Sequence, residues 1–133
     1  MWLPPGYNVS KFGVVALSET LHHDLAITGS KLKVSVLCPG WVNTKIIDAN
    51  RNRPAELSKT VAAIPDAQRE AMDTAVRNFL KTGLEPSAVA EQVFEAIRED
   101  QLYIITHPEM DFIFRERFDN ILSRTNPTPR TLG

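Results

Sequence analysis

The chain has 133 residues, with 15 Lys and Arg against 16 Asp and Glu and a formal net charge of −1. Near-neutrality without a basic stripe argues against nucleic acid or an anionic membrane as the main partner. One cysteine, Cys38, excludes an internal disulfide and suits a reducing compartment such as the cytoplasm. No apolar run of about eighteen residues and no basic-then-apolar leader with a cleavage site occurs, so neither a membrane span nor a signal peptide is expected.

In chain order, Met1-Trp2-Leu3-Pro4-Pro5-Gly6 reads as a short loop, because two prolines and a glycine interrupt any regular element. A helix is expected from Asn8 to Thr28, where Val9, Phe12, Val15, Ala16, Leu17, Leu21 and Leu25 cover more than a narrow stripe, as in a helix buried against a sheet and a partner. Gly29 supplies its stop. Tyr7 and Lys11 stand four residues apart at its start and so share one face. A cation beside a phenol favours the phenolate and brings proton transfer toward a useful pH, which makes Tyr7 a candidate general acid or base. His22 and His23 are adjacent, unlike the four-residue spacing that brings two histidines to one metal, and read as polar-face residues. No metal site is expected.

Lys33–Cys38 and Leu102–Thr106 are the two strand candidates. Neither alternates cleanly: Val36-Leu37 and Tyr103-Ile104-Ile105 imply burial on both faces, as in a parallel sheet covered by helices on each side. Two such strands make too small a sheet, so neighbouring strands are expected to be missing or supplied by another chain. Cys38 reads as a small apolar residue at a buried strand end. Pro39-Gly40 then opens a loop at the carboxyl end of the first strand, the edge where open parallel sheets bind ligands, and Tyr7, Lys11 and Thr44 are expected to face one cleft.

Residues 45–84 form an insertion with a polar break at Arg51-Asn52-Arg53-Pro54. A helix follows Pro65, striped by Ala67, Ala71, Met72, Ala75, Phe79 and Leu80, which can fold over the Thr44 loop as a lid. Ordinary helix packing is the expected role of Met72 and Phe79, and Arg51 and Arg53 read as solvated charges. Pro86 opens the next helix, with Val89, Val93 and Ile97 on one face. His107-Pro108 ends the second strand, with His107 capping a turn, and Phe112, Ile113, Phe118, Ile121 and Leu122 stripe a last helix. The tail 125–133, with Pro127 and Pro129, is expected to be loose.

Tyr7-Asn8-Val9-Ser10-Lys11 resembles the Tyr-Xaa-Xaa-Xaa-Lys catalytic motif of the short-chain dehydrogenase/reductase family. Pro39-Gly40-Trp41-Val42-Asn43-Thr44 resembles that family's Pro-Gly-Xaa-Val-Xaa-Thr motif beside the nicotinamide. Both occur in the family's order, joined by one helix and one strand, and the likeness continues through about Leu122. It implies an α/β fold: the C-terminal part of a Rossmann-like, doubly wound parallel sheet with about two strands and four to five helices, all 133 residues forming part of one NAD(P)-binding domain. It also implies hydride transfer between NAD or NADP and a small carbonyl or alcohol substrate. Tyr7 would exchange the proton, and Lys11 would hold the nicotinamide ribose hydroxyls and assist Tyr7. Pro39, Gly40 and Val42 would line the nicotinamide, and the Thr44 hydroxyl would reach its carboxamide or a phosphate. Trp41 takes the variable position that shapes the pocket, and residues 45–84 the region that sets substrate choice.

One departure from the pattern stands out. The six glycines, at 6, 13, 29, 40, 83 and 133, form no glycine-rich loop able to cradle a pyrophosphate. The family's catalytic serine and asparagine precede the tyrosine, and Ser10 and Asn8, inside the Tyr-to-Lys turn, do not fill those roles. The expectation is therefore the C-terminal half of an enzyme, inactive by itself, with the N-terminal βαβ units missing. It would act within a longer chain, in a homo-oligomer, or paired with a polypeptide that carries the other half. The alternative is a non-catalytic remnant that serves as an oligomerisation or interaction module, using a sheet edge and the face of helix 8–28.

Overall fold

The computed structural model describes residues 5–48, Pro54 and 66–128. The order of elements is α1 (Pro5–Ile27), β1 (Val36–Cys38), α2 (Asp66–Lys81), α3 (Pro86–Arg98), β2 (Tyr103–Ile105) and α4 (Asp111–Ser123), with a 3-10 turn at Pro108–Met110 before α4. The expected loop at 1–4, the polar break at 51–53 and the tail beyond 128 lie outside the described residues, as do the side chains of Ala67 and Met72.

α1 begins earlier than its sequence suggests. Pro5 and Gly6 belong to its first turn rather than to a loop. A first-turn proline loses nothing by lacking an N–H that would have no intrahelical acceptor, and its fixed φ already suits the helix. At the other end Gly29 takes φ 65°. There the Gly29 N–H donates to the Ala26 carbonyl at 3.1 Å and the Ser30 N–H to Leu25 at 2.9 Å, which satisfies two terminal carbonyls. α3 and α4 close in the same way without glycine, through Asp100 (φ 55°) and Arg124 (φ 56°).

β1 and β2 pair in parallel, with Val36 opposite Tyr103, Leu37 opposite Ile104 and Cys38 opposite Ile105. Both strands are shorter than the apolar runs predict. Ahead of the ladder, the Ser35 hydroxyl donates to the Gln101 carbonyl at 2.7 Å, and the first backbone bond runs from the Val36 N–H to Leu102 at 2.7 Å. Burial on both faces is not reached among the described residues: Val36 and Ile104 are buried, while Leu37, Tyr103 and Ile105 stay about two-fifths exposed or more. Among the described residues the sheet has two strands, so each lacks a neighbour on one side.

The chain divides into two compact units, one made of the described residues up to Cys38 together with those from Val93 onward, the other of Pro39–Gln92. In the first, Val36, Ala96, Ile104 and Thr106 are buried; in the second, Leu80 and Val89 are. α1 packs on β1. Its half-buried face carries Val15, Ser18, Glu19, His22 and Leu25, whereas Val9, Phe12, Val14, Leu17 and Leu21 are exposed. His22 is thus partly inward rather than on the polar face, because the 18-19-22-25 spacing, not apolarity, decides which side chains meet the sheet. Glu19 on that face accepts a hydrogen bond from the Tyr103 hydroxyl at 2.7 Å, tying α1 to β2. On α3 the inward positions are Val89, Val93 and Ala96, and Ile97 is exposed.

Candidate active site

Helical spacing brings Tyr7 and Lys11 together as expected. The Lys11 Nζ lies 5.3 Å from the centroid of the Tyr7 ring, a cation–π distance, and both side chains are exposed on α1. A hydroxyl and an ammonium are thereby presented from one helical face. The Ser10 hydroxyl donates to the Tyr7 carbonyl at 2.7 Å, a bond to the helix backbone.

Pro39 through Thr44 follow β1 directly. Pro39 and Thr44 are exposed; Gly40, Trp41 and Val42 are half-buried. Val42 forms a single parallel bridge with Leu84. The Leu84 N–H donates to the Trp41 carbonyl at 2.9 Å, and the Asn43 N–H donates to the Leu84 carbonyl at 2.8 Å. The Asn43 side-chain amide adds a third bond, to the Glu85 carboxylate, at 2.9 Å. Gly83 permits this approach: a Cβ there would lie 2.5 Å from the Trp41 carbonyl oxygen and 2.9 Å from the Val42 nitrogen. The Tyr7–Lys11 pair belongs to the first unit and this loop to the second.

Sequence reasoning missed Asn43, Glu85 and Gly83. Their partners are some forty positions apart, and no local pattern links them; only the glycine after α2 was a visible mark. α2 is joined to the loop through Phe79, whose ring stacks on Trp41 at 5.5 Å and 18°, and Arg77 pairs with Asp48 at 2.7 Å. Phe79 thus packs on Trp41 by one ring face while staying 38% exposed.

The other titratable candidates have structural surroundings. Burial pushes the Cys38 thiol up from its ordinary value, which disfavours the thiolate a nucleophile would need. His107 caps the 3-10 turn through its backbone: its carbonyl accepts the Met110 N–H at 2.9 Å, while its Nδ1 lies 2.7 Å from the Thr106 hydroxyl. Among the described residues there is no cluster of three or more metal-ligating side chains, and no helix is long and apolar enough to cross a membrane.

No family profile matches the chain. A solved structure of a short-chain dehydrogenase/reductase from Burkholderia phymatum, in complex with NAD, matches it with a TM-score of 0.82 and 41% identity, over 95% of this chain and 45% of that one. A CLA biosynthesis dehydrogenase/reductase of Lactiplantibacillus plantarum is 27% identical over 92% of this chain and 43% of its own length. A C alpha-dehydrogenase of a Sphingobium strain is 26% identical over 91% of this chain and 38% of its own. The chain spans about two-fifths of the length of these two relatives. With its parallel α/β architecture, these matches support a fragment of the short-chain dehydrogenase/reductase family, similar over nearly all of this chain to a segment of that Rossmann-like fold.

Proposed function

We propose that these residues supply the proton-transfer pair and the nicotinamide-side loop of an NAD(P)-dependent oxidoreductase acting on a small carbonyl or alcohol. The observation that carries the reading is the Lys11 ammonium 5.3 Å from the Tyr7 ring on an exposed helical face, in a chain similar to this family. NAD(P)H held there would supply the hydride. Tyr7 gives its hydroxyl proton to the carbonyl oxygen as the carbon is reduced, and Lys11 stabilises the phenolate left behind. In the direction of alcohol oxidation Tyr7 takes that proton back. The donor set suits the nicotinamide end of the cofactor: the Lys11 ammonium for ribose hydroxyls, the Thr44 hydroxyl for a carboxamide or phosphate, and the backbone of Pro39, Gly40 and Val42 for the ring face. Residues 45–84 act as the substrate lid, a role supported by the stack of Phe79 on Trp41.

These residues hold no glycine-rich pyrophosphate loop, so binding rather than turnover is the informative readout, and we assign that loop to a missing N-terminal half. The test is titration of the purified chain with NADH and NADPH, followed by cofactor fluorescence. Binding lost in Lys11→Ala and retained in Tyr7→Phe supports the assignment. A folded chain that binds neither cofactor overturns it for this chain as it stands.

A second reading, favoured by Val9 at 72% and Leu17 at 68% exposure on α1, is a module that pairs with its own copy through that helix. Sedimentation decides it. A dimer that dissociates in Leu17→Lys supports pairing, and a monomer at all concentrations refutes it.

A further inference from the structure

We infer that Asn43 and Glu85 are positioning residues: their hydrogen bond latches the neck through which residues 44–83 leave and return, and so holds the loop Pro39–Thr44 in place. The neck is one backbone bridge, Val42 with Leu84, made by two backbone bonds of 2.9 and 2.8 Å. An isolated bridge has no flanking rungs, so solvent can reach its bonds whenever either strand frays. The Asn43 amide reaches Glu85 one residue beyond the last backbone bond, at 2.9 Å and to a charged acceptor, the stronger type of hydrogen bond. It therefore sits where fraying would begin. Closing a loop of about forty residues carries an entropic cost that something at the neck has to offset.

Two further features show that the neck is built rather than incidental. Gly83 stands where a Cβ would collide with the Trp41 and Val42 backbone. Pro86, the first residue of α3, fixes the chain right after Glu85, so the carboxylate is carried on a rigid helix start. The latch holds the loop at its neck, apart from the stack of Phe79 on Trp41 that joins α2 to it. The consequence for cofactor binding rests on the function proposed above; the latch itself does not.

The experiment is amide hydrogen exchange on the full chain without cofactor, read at Asn43 and Leu84, with Val36 of β1 as internal reference. Asn43→Ala and Glu85→Ala are each expected to speed exchange at Asn43 and Leu84 by about tenfold, the worth of one charge-assisted bond. Val36 should stay unchanged. Glu85→Gln keeps a neutral carbonyl acceptor for the same amide and is expected to restore part of the lost protection. Equal exchange in parent and alanine variants, acceleration that includes Val36 equally, or a Gln variant as fast as Ala would each overturn the proposal. Should Glu85→Ala fail to fold by far-ultraviolet circular dichroism, Asn43→Asp decides: it removes the donor and sets two carboxylates face to face, and unchanged exchange there refutes the latch. NADH affinity provides a separate arm. If the parent chain binds, Glu85→Ala should weaken binding about tenfold and Glu85→Gln should restore part of it; intact affinity in Glu85→Ala refutes positioning. If the parent chain does not bind, the cofactor reading fails while the exchange ratio still decides the latch.

Discussion

Gly83→Ala and Gly13→Ala make the same chemical change and should move stability in opposite directions. At Gly83 an added Cβ would stand 2.5 Å from the Trp41 oxygen, 2.6 Å from its carbonyl carbon and 2.9 Å from the Val42 nitrogen, against an ordinary contact of 3.4 Å or more. All three are backbone atoms, so no side chain can swing away. The two segments must part by about 0.9 Å, the difference between 3.4 and 2.5 Å. That would carry the 2.9 Å bond from Leu84 to Trp41 out of hydrogen-bonding range. Two lost backbone bonds at about 1 kcal/mol each, or the overpacking strain of 1–3 kcal/mol if they are kept, set the cost at about 2–3 kcal/mol. Gly13 lies in the interior of α1 with nothing within 4 Å of its virtual Cβ. Alanine there relieves the helix of glycine's excess chain entropy and gains about 1 kcal/mol. Urea denaturation followed by tryptophan fluorescence and by helix signal reads both, and a midpoint shift of about 1 M is expected for Gly83→Ala. If Gly83→Ala matches or exceeds the parent, the close approach of the two segments is wrong.

Arg124→Gly should raise stability by about 1 kcal/mol, because Arg124 holds a left-handed φ of 56° that costs a side chain but not glycine; thermal melting checks it. The Tyr103 phenol is held protonated by its bond to Glu19, which raises its pKa above the ordinary 10.0. The neutral donor is the stabilising form, so the contribution is full below about pH 10 and fades as the pH climbs through the folded value. Tyr103→Phe should therefore be less stable than the parent at pH 8, and the gap should narrow toward pH 11 in urea midpoints. Burial raises the Cys38 pKa, so its reaction with a thiol reagent at pH 8 should be slower in the folded chain than in urea; equal rates would contradict that burial.

The fold was legible where punctuation residues and helical spacing agree. Gly29 marks the end of α1, and Pro65 and Pro86 precede or open α2 and α3, at places where those residues have a mechanical reason to be. The strands were legible in place but not in length. Val34, Ser35 and Thr106 have strand-like composition, yet a ladder reaches only as far as both chains offer partners, and Ser35 bonds through its hydroxyl instead. The α1 stripe misled for a related reason. Leu17 and Leu21 look like core residues in sequence, but the sheet takes the face of Glu19 and His22, leaving the larger apolar side chains outward.

Chemistry and support also differ in how they are written into the chain. Tyr7 and Lys11 meet because four residues of helix bring them together, a relation that a short stretch of sequence states in full. What steadies Pro39–Thr44 is distributed instead: an amide on Asn43, a carboxylate on Glu85, an absent side chain at Gly83 and a ring on Phe79 become neighbours only when residues 44–83 return to where they left. None of those four has a sequence context that separates it from a surface polar residue, a helix stop or a core aromatic. Groups that react can be spaced by one helical turn, whereas groups that hold a loop must come from both of its ends. A local motif therefore announces the Tyr7–Lys11 pair, whereas the contacts that close the neck join positions some forty residues apart.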